Sequence, residues 1–229
     1  MRTGPARLRY DAAMARTGLF LAILFTAGAS VASFVQTLDP QTLGDAINIG
    51  GSRIDDVRTH FHAPYHVNVA QAPVDYIEIV TPFRRVALDA EARARSGDRL
   101  YGQRDALATL GDAPSRVDIV AELTFHPLNT FIGVPDYLVN LLPIVDGPPI
   151  RPRQISRIPR FGPRLSGTPL PYPYAVAPPA RNGSQPLLGG SIIATFDGEA
   201  LAAQGMYWVT VSDAGKELAR ARVDFSKLR

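Results

Sequence analysis

The sequence contains no cysteine, and this absence excludes several kinds of chemistry. Disulfides, thiolate metal sites, iron–sulfur clusters and cysteine nucleophiles all require the missing thiol. Lysine is scarce as well, since only Lys216 and Lys227 occur among the 24 basic residues. The 229 residues are nevertheless enough to bury a hydrophobic core that needs no disulfide to hold it together.

The chain also lacks a surplus of charge once its N-terminal segment is set aside. Residues 1–32 hold four Arg and one Asp, so the 24 basic and 21 acidic residues of the whole sequence become 20 of each. A protein that binds nucleic acid normally carries excess positive charge to neutralise phosphates. The neutral remainder therefore argues against nucleic acid as a partner.

Recognisable catalytic motifs are missing too. The Gly51-Ser52 and Gly190-Ser191 pairs lack the G-x-S-x-G pattern of a nucleophile elbow. No glycine-rich stretch has the spacing that cradles phosphates or a dinucleotide. The sequence accordingly predicts no catalytic residue and no organic cofactor.

Among the features that are present, the N-terminal leader is the most informative. Residues 18–34 form an uninterrupted run of apolar and small residues behind four arginines, with Ser30 and Ala32 near its end. A positive segment, a short apolar segment and small residues at the cleavage point make up a secretory signal. We expect cleavage after Ala32 and export to the periplasm or beyond the cell. The alternative is an uncleaved membrane anchor, because the run reaches the lower end of the roughly 17–25 residues that span a bilayer. Membrane contact is expected only in that case.

Alternation of apolar and polar residues predicts strands in the remainder of the chain. The clearest is residues 117–125, where Val117, Ile119 and every second residue thereafter are apolar. Residues 206–212 and 219–225 show a similar alternation, and Gly215 between them suits a hairpin turn. Further strands are predicted at residues 65–69, 74–80, 137–142 and 191–196.

Two helices are predicted within a surface excursion near residues 82–111. Thr81 is suited to cap the first helix, Pro82 to begin it and Gly97 to end it. A shorter helix is expected from Gln103 to Leu110.

Residues 143–186 are rich in proline, which cannot donate to a sheet ladder. They predict a long connection across the surface.

Taken together, the predicted elements indicate a lead-in segment at residues 33–50 and one β-rich domain at residues 51–229.

The last forty residues carry a resemblance at the level of architecture. Strand 191–196 leads into a predicted helical turn at 197–203, and then come Gly205, Tyr207 and Val209. This arrangement resembles the G-x-Y-x-C corner of immunoglobulin-like sandwiches, with valine in place of the cysteine. The resemblance implies an antiparallel immunoglobulin-like sandwich in which the Tyr207 hydroxyl closes the corner. It implies nothing about a ligand.

Three of the four histidines, His60, His62 and His66, fall within seven residues. In an extended chain residues two apart share a face, so His60 and His62 would reach one metal ion, and zinc or copper suits imidazole ligands. No carboxylate stands at a familiar ligand spacing, however. The other interpretation is that these histidines are structural or merely exposed.

A second candidate site is basic, because residues 147–196 contain no Asp or Glu. Arginines between prolines on an extended segment would suit an anionic surface such as a lipid headgroup or an envelope polymer. The other interpretation is that they are solvated or paired with acids from elsewhere. The candidate residues are Arg151, Arg153, Arg157, Arg160 and Arg164.

Together these features predict a mostly β, exported protein that acts as a non-catalytic binding or structural module of the cell envelope. Its expected partner is an envelope protein or polymer. The alternative is a metal-binding protein or metal-dependent enzyme that uses His60, His62 and His66.

Overall fold

The computed structural model describes residues 34–98, 100–126, 128–162 and 185–229. This part of the chain forms four α-helices and eight β-strands. The helices are α1 (Pro40–Gly50), α2 (Asp55–His62), α3 (Pro82–Arg95) and α4 (Gln103–Leu110). The strands are β1 (His66–Gln71), β2 (Val74–Val80), β3 (Val117–Thr124), β4 (Leu138–Pro143), β5 (Gln154–Phe161), β6 (Leu187–Phe196), β7 (Met206–Asp213) and β8 (Lys216–Asp224).

The strands form two antiparallel sheets. One sheet has five strands in the order β1-β2-β3-β6-β5, and the other has three in the order β4-β7-β8. Side chains from both sheets meet in one continuous apolar core, whose fully buried members include Ile77, Leu123 and Ile192 from the larger sheet and Leu141 and Val209 from the smaller. The fold is thus mostly β and sandwich-like, as the sequence predicted.

Register in the sheets follows from the alternation seen in the sequence. In β3 the residues Val117, Ile119, Ala121 and Leu123 are fully buried, whereas Glu122 is only partly buried and Thr124 is exposed. A slip of one residue would reverse the two faces and expose this apolar set. β3 is central in its sheet, between β2 and β6.

The predicted C-terminal hairpin is confirmed. β7 and β8 pair through a turn in which Ala214 has φ +44° and Gly215 has φ +87°. Two consecutive residues of positive φ are what a tight hairpin matched to strand twist requires, and glycine takes that conformation without strain.

The corner before β7 is closed by the tyrosine that the sequence singled out. The Tyr207 hydroxyl accepts a hydrogen bond from the backbone N–H of Ala202 at 2.8 Å. Gly205 makes room for the ring, because a Cβ there would lie 2.5 Å from the Tyr207 ring.

Both predicted helices are present with the expected ends. The Thr81 side chain accepts from the Arg84 N–H at the start of α3, and Pro82 is its first residue. Gly97, at φ +84°, follows the last turn. Gly111, at φ +59°, follows α4.

The helices form a second apolar cluster beside the sandwich core. The apolar stripe of α3, including Phe83 and Val86, packs with Leu43 and Ala46 of α1 and with residues of α4. Residues 40–50, expected as a lead-in, therefore belong to the same compact unit as the strands.

The proline-rich connection is partly a strand. β5 forms the edge of the five-stranded sheet and contains Pro159. Edge strands tolerate proline because only one of their two sides is paired with another strand. Residues 163–184 of this connection lie outside the described residues.

Candidate functional site

A cleft of ≈630 Å³ opens where α2, α3 and the β1–β2 hairpin meet, and many of its lining residues are charged. We call it the histidine cleft. Its charged and titratable lining consists of Asp55, Arg58, His62, His66, Glu78, Arg84, Glu91 and Arg95. It gathers titratable side chains from four elements in one place and is the best candidate for a functional site.

His62, the last residue of α2, lies at the centre of the cleft. Its Nε2 is 3.2 Å from Glu91 Oε2, and its Nδ1 is 3.5 Å from the Nε of Arg84. Arginine only donates hydrogen bonds, so Nδ1 must be the acceptor and the proton must be on Nε2, which donates to Glu91. These contacts fix a neutral imidazole in one tautomer.

The electrostatics of the cleft agree with this assignment. Burial lowers the pKa of His62, and the Arg84 cation lowers it further, while Glu91 acts in the opposite direction. Protonation at Nδ1 would place two N–H donors face to face. The folded protein therefore resists protonating His62.

Arg84 is held by three elements and is only 4% exposed. Its guanidinium donates to the backbone oxygen of Ile79 at 2.7 Å and to Glu78 Oε1 at 3.2 Å. It also lies over the ring of Tyr65, 5.0 Å from the centroid. A buried arginine with its charge balanced in this way is a fixed structural element of the cleft wall.

Tyr65 itself is anchored to the far end of the chain. Its hydroxyl accepts from the backbone N–H of Arg229 at 2.9 Å, and Thr81 donates to the backbone oxygen of the same residue. Burial raises the pKa of Tyr65. The phenol is thus a neutral bridge and supplies no base to the cleft.

Glu91 neutralises the opposite side of the cleft. Besides His62, it pairs with Arg58 at 3.3 Å and with Arg95 at 2.6 Å, and its side chain is 10% exposed. The polar contacts thus run in a chain from Glu78 through Arg84 and the neutral His62 to Glu91. Each charged group in this chain is already satisfied by another.

The extended conformation assumed for the histidine segment is wrong, because residues 55–62 form helix α2. In a helix, positions two apart point to opposite sides, so His60 and His62 do not share a face. The structure instead brings His62 together with His66, whose Nδ1 is 3.6 Å from Glu78 Oε1. His60 is exposed and does not line the cleft. Within the described ranges, no three His, Cys, Asp or Glu side chains are grouped closely enough to hold a metal ion.

The predicted basic segment lies on and before β5, and acids from elsewhere reach most of its described arginines. Arg153 pairs with Asp197, Arg157 with Asp136 at 3.5 Å, and Arg160 with Glu122 at 3.3 Å. These pairs fit the interpretation that the arginines are neutralised by acids distant in sequence. Arg151 is exposed. Arg164 lies outside the described residues.

Sequence reasoning did not single out the outer face of the three-stranded sheet. Trp208, the chain's single tryptophan, lies at its centre between Leu142 and Arg222 on the neighbouring strands. Arg220 lies over the indole, 5.6 Å from its ring centroid, and Arg222 contacts the sulfur of Met206 at 3.0 Å. We call this surface the tryptophan face. The alternation of β7 and β8 with period 2 is the sequence signal that could have placed Met206, Trp208, Arg220 and Arg222 on one side of the sheet.

No family model matches the chain, and no curated protein or solved structure is similar to it at a significant level. Among the described residues there is no helix with both the length and the hydropathy to cross a bilayer.

Proposed function

We propose that this protein is an exported, non-catalytic binding module of the cell envelope, built on an immunoglobulin-like sandwich, and that it contacts an envelope protein through the tryptophan face. The four parts of the proposal rest on different observations.

Strand order supports the immunoglobulin-like assignment. Taken in chain order, β2 to β8 occupy the positions of strands A to G. The larger sheet then has the order A-B-E-D with β1 added at its edge, and the smaller has C-F-G. This is the arrangement of constant-type immunoglobulin domains. The bond from the Ala202 N–H to the Tyr207 hydroxyl supplies the corner that accompanies it.

The observation that carries the non-catalytic role is the state of His62. A general base needs a free nitrogen directed at the substrate. Both nitrogens of His62 face charged side chains instead, Arg84 on one side and Glu91 on the other. The polar cluster around His62 is therefore organised to satisfy itself, and binding fits it better than turnover.

The choice of the tryptophan face rests on its composition. Tryptophan, arginine and methionine are enriched at the cores of protein–protein interfaces, and Trp208, Arg220, Arg222 and Met206 lie together there. Leu138, on the same side of the sheet, is 47% exposed. The leader supports export, because its three parts are those of a secretory signal.

Photo-crosslinking in the source cells tests this role. A photoreactive residue at position 138, on the tryptophan face, is compared with one at Ile158, which is 54% exposed on the outer face of the other sheet. We expect a discrete protein adduct from position 138, lost in the Trp208→Ala variant, and none from position 158. Equal labelling from both positions, or turnover of a small substrate by the purified protein, would overturn the role.

The intact mass of the protein from its source cells tests export. A mass that corresponds to a chain beginning at Ser33 supports cleavage of the leader, and a mass that includes residues 1–32 contradicts it.

A metal-binding role for His62 and His66, without His60, is the second candidate, favoured by the presence of these two histidines in one cleft. Elemental analysis after expression with added zinc or copper tests it. Stoichiometric metal that is lost in His62→Ala and His66→Ala variants would support it, and substoichiometric metal unchanged by these variants would end it.

A further inference from the structure

A second cavity, of ≈620 Å³, lies between α1, the following loop and the second half of α3. We call it the arginine cavity. It shares Arg58 and Arg95 with the histidine cleft, and Arg53 is added from the loop. Cavities of about 300–1,000 Å³ are the size that hold small molecules.

The polar wall of the arginine cavity is cationic. Three guanidinium groups, those of Arg53, Arg58 and Arg95, line it together with a single carboxylate, Asp98. That carboxylate is engaged outside the cavity, because Arg93 lies 3.7 Å from it and the Leu100 N–H donates to it at 3.0 Å. The wall therefore presents more positive charge than it neutralises.

The three arginines are not equally committed. Arg58 contacts Asp55 and Glu91, and Arg95 contacts Glu91, so one carboxylate serves both of them and His62 as well. Arg53 is exposed, and within residues 34–98, 100–126, 128–162 and 185–229 no acid lies within ion-pair distance of it. An anion that enters the cavity would meet one unpaired guanidinium, that of Arg53, and two that already pair with Glu91, of which Arg58 pairs with Asp55 as well.

The rest of the lining includes apolar residues. These are Ile47 of α1 and Ala90 and Ala94 of α3, and the ring of Tyr101 is part of the lining. Burial raises the pKa of Tyr101 to about 12, so its phenol is neutral and adds no negative charge. A ligand that matches both kinds of lining has an anionic head and a short apolar body.

From this combination of cationic and apolar lining residues, we infer that the arginine cavity binds an amphipathic organic anion, with its head at Arg53, Arg58 and Arg95 and its body against Ile47, Ala90 and Ala94. The inference deepens the proposed binding role and rests on it. It adds a small-molecule site distinct from the tryptophan face.

Titration of the full chain with octanoate, followed by amide chemical shifts, tests the inference. Octanol supplies the same body without charge, octylammonium reverses the charge, and inorganic phosphate is an anion without a body. We expect saturable shifts for octanoate that centre on Asn48, Arg53 and Ala94, and at least roughly fivefold weaker binding of the other three probes, because charge-assisted contacts and apolar burial both contribute.

Two matched pairs of variants locate the site. Arg53→Gln is expected to weaken octanoate binding roughly 5- to 50-fold, whereas Arg104→Gln, which removes an exposed arginine of α4 that does not line the cavity, leaves it unchanged. Ala94→Phe fills the cavity and is expected to abolish binding, whereas Ala92→Phe, exposed on the same helix but outside the lining, does not.

The outcomes separate this inference from the proposed function. Failure of octanoate to saturate, equal binding of octanol, or equal effects of Arg53→Gln and Arg104→Gln would overturn the cavity assignment, and crosslinks from position 138 would leave the binding role intact. Bound octanoate that is converted to a new species would uphold the cavity and overturn the non-catalytic role.

Discussion

The Tyr207 hydroxyl and the backbone N–H of Ala202, five residues earlier, are joined by a 2.8 Å hydrogen bond across the corner between the two sheets. The ring of Tyr207 meets that of Phe225 edge to face, with centroids 5.3 Å apart. One side chain therefore fixes the path of the chain into β7 through a polar contact and an apolar one.

Replacing Tyr207 with phenylalanine separates the two contributions. The ring packing is kept, but the Ala202 N–H loses its acceptor, so we expect the free energy of unfolding to fall by about 1 kcal/mol. Urea denaturation measures the change, and the m value should stay constant. Tyr76→Phe is the control, because no hydrogen bond to the Tyr76 hydroxyl is present in the described structure. Equal losses from the two variants would show that the corner bond contributes nothing specific.

The sequence predicted the elements whose local pattern matches their environment. β2, β3 and the β7–β8 hairpin alternate because one face of each is buried, and α3 has a cap, a first-turn proline and a terminal glycine. The same signal at Asp39-Pro40 precedes α1, where Asp39 accepts from the Thr42 N–H at 2.7 Å. The predicted lead-in segment at residues 33–50 thus contains a capped helix.

The remaining elements and the site could not be found in this way. α2 has no fully buried residue and no side-chain cap, and its histidines and phenylalanine alternate like a strand. β5 is an edge strand with arginines and a proline. The histidine cleft joins residues 22 and 29 positions apart, namely His62 with Arg84 and Glu91. Only the packing of α2 on α3 brings them together, and no local spacing records it.

Substitutions at two glycines of α1 are expected to change the free energy of unfolding in opposite directions. A Cβ at Gly50 would lie 2.1 Å from the backbone oxygen of Ala87, whereas a Cβ at Gly44 meets nothing within 4 Å. We expect Gly50→Ala to destabilise the protein by about 1–3 kcal/mol through overpacking, and Gly44→Ala to stabilise it by about 0.5–1 kcal/mol through helix propensity. Thermal and urea unfolding check both. Equal effects would mean that α1 does not pack on α3 through Gly50.

A buried ion pair joins α3 to the sandwich. Arg85 lies 3.0 Å from Asp118 on β3, the two side chains are 10% and 11% exposed, and Thr195 donates to the same carboxylate at 2.7 Å. Burial lowers the pKa of Arg85. We expect Asp118→Asn to cost about 3 kcal/mol, because it leaves a buried cation without its partner.

Glu217→Gln is the matched control for this pair. Glu217 pairs with Arg220 at 2.7 Å, but both side chains are nearly half exposed. The expected cost is at most about 1 kcal/mol. A double variant, Arg85→Met with Asp118→Leu, should recover much of the loss, since it removes both buried charges and leaves Arg116, which is 42% exposed, as the only charged group without its contact to Asp118. A loss from Asp118→Asn no larger than that from Glu217→Gln would contradict the buried character of the pair.

His62 makes stability depend on pH. Its pKa is lowered from the usual 6.5, mainly by burial and then by Arg84, so below that pH the unfolded chain takes up a proton that the folded protein resists. The free energy of unfolding is therefore expected to fall as the pH drops below 6.5 towards the folded pKa, and this component should vanish in His62→Gln. Urea unfolding between pH 7.5 and 5 gives the slopes, and the NMR titration of the imidazole gives the folded pKa. A titration midpoint above 6.5 would mean that Glu91, not burial and Arg84, governs the ring.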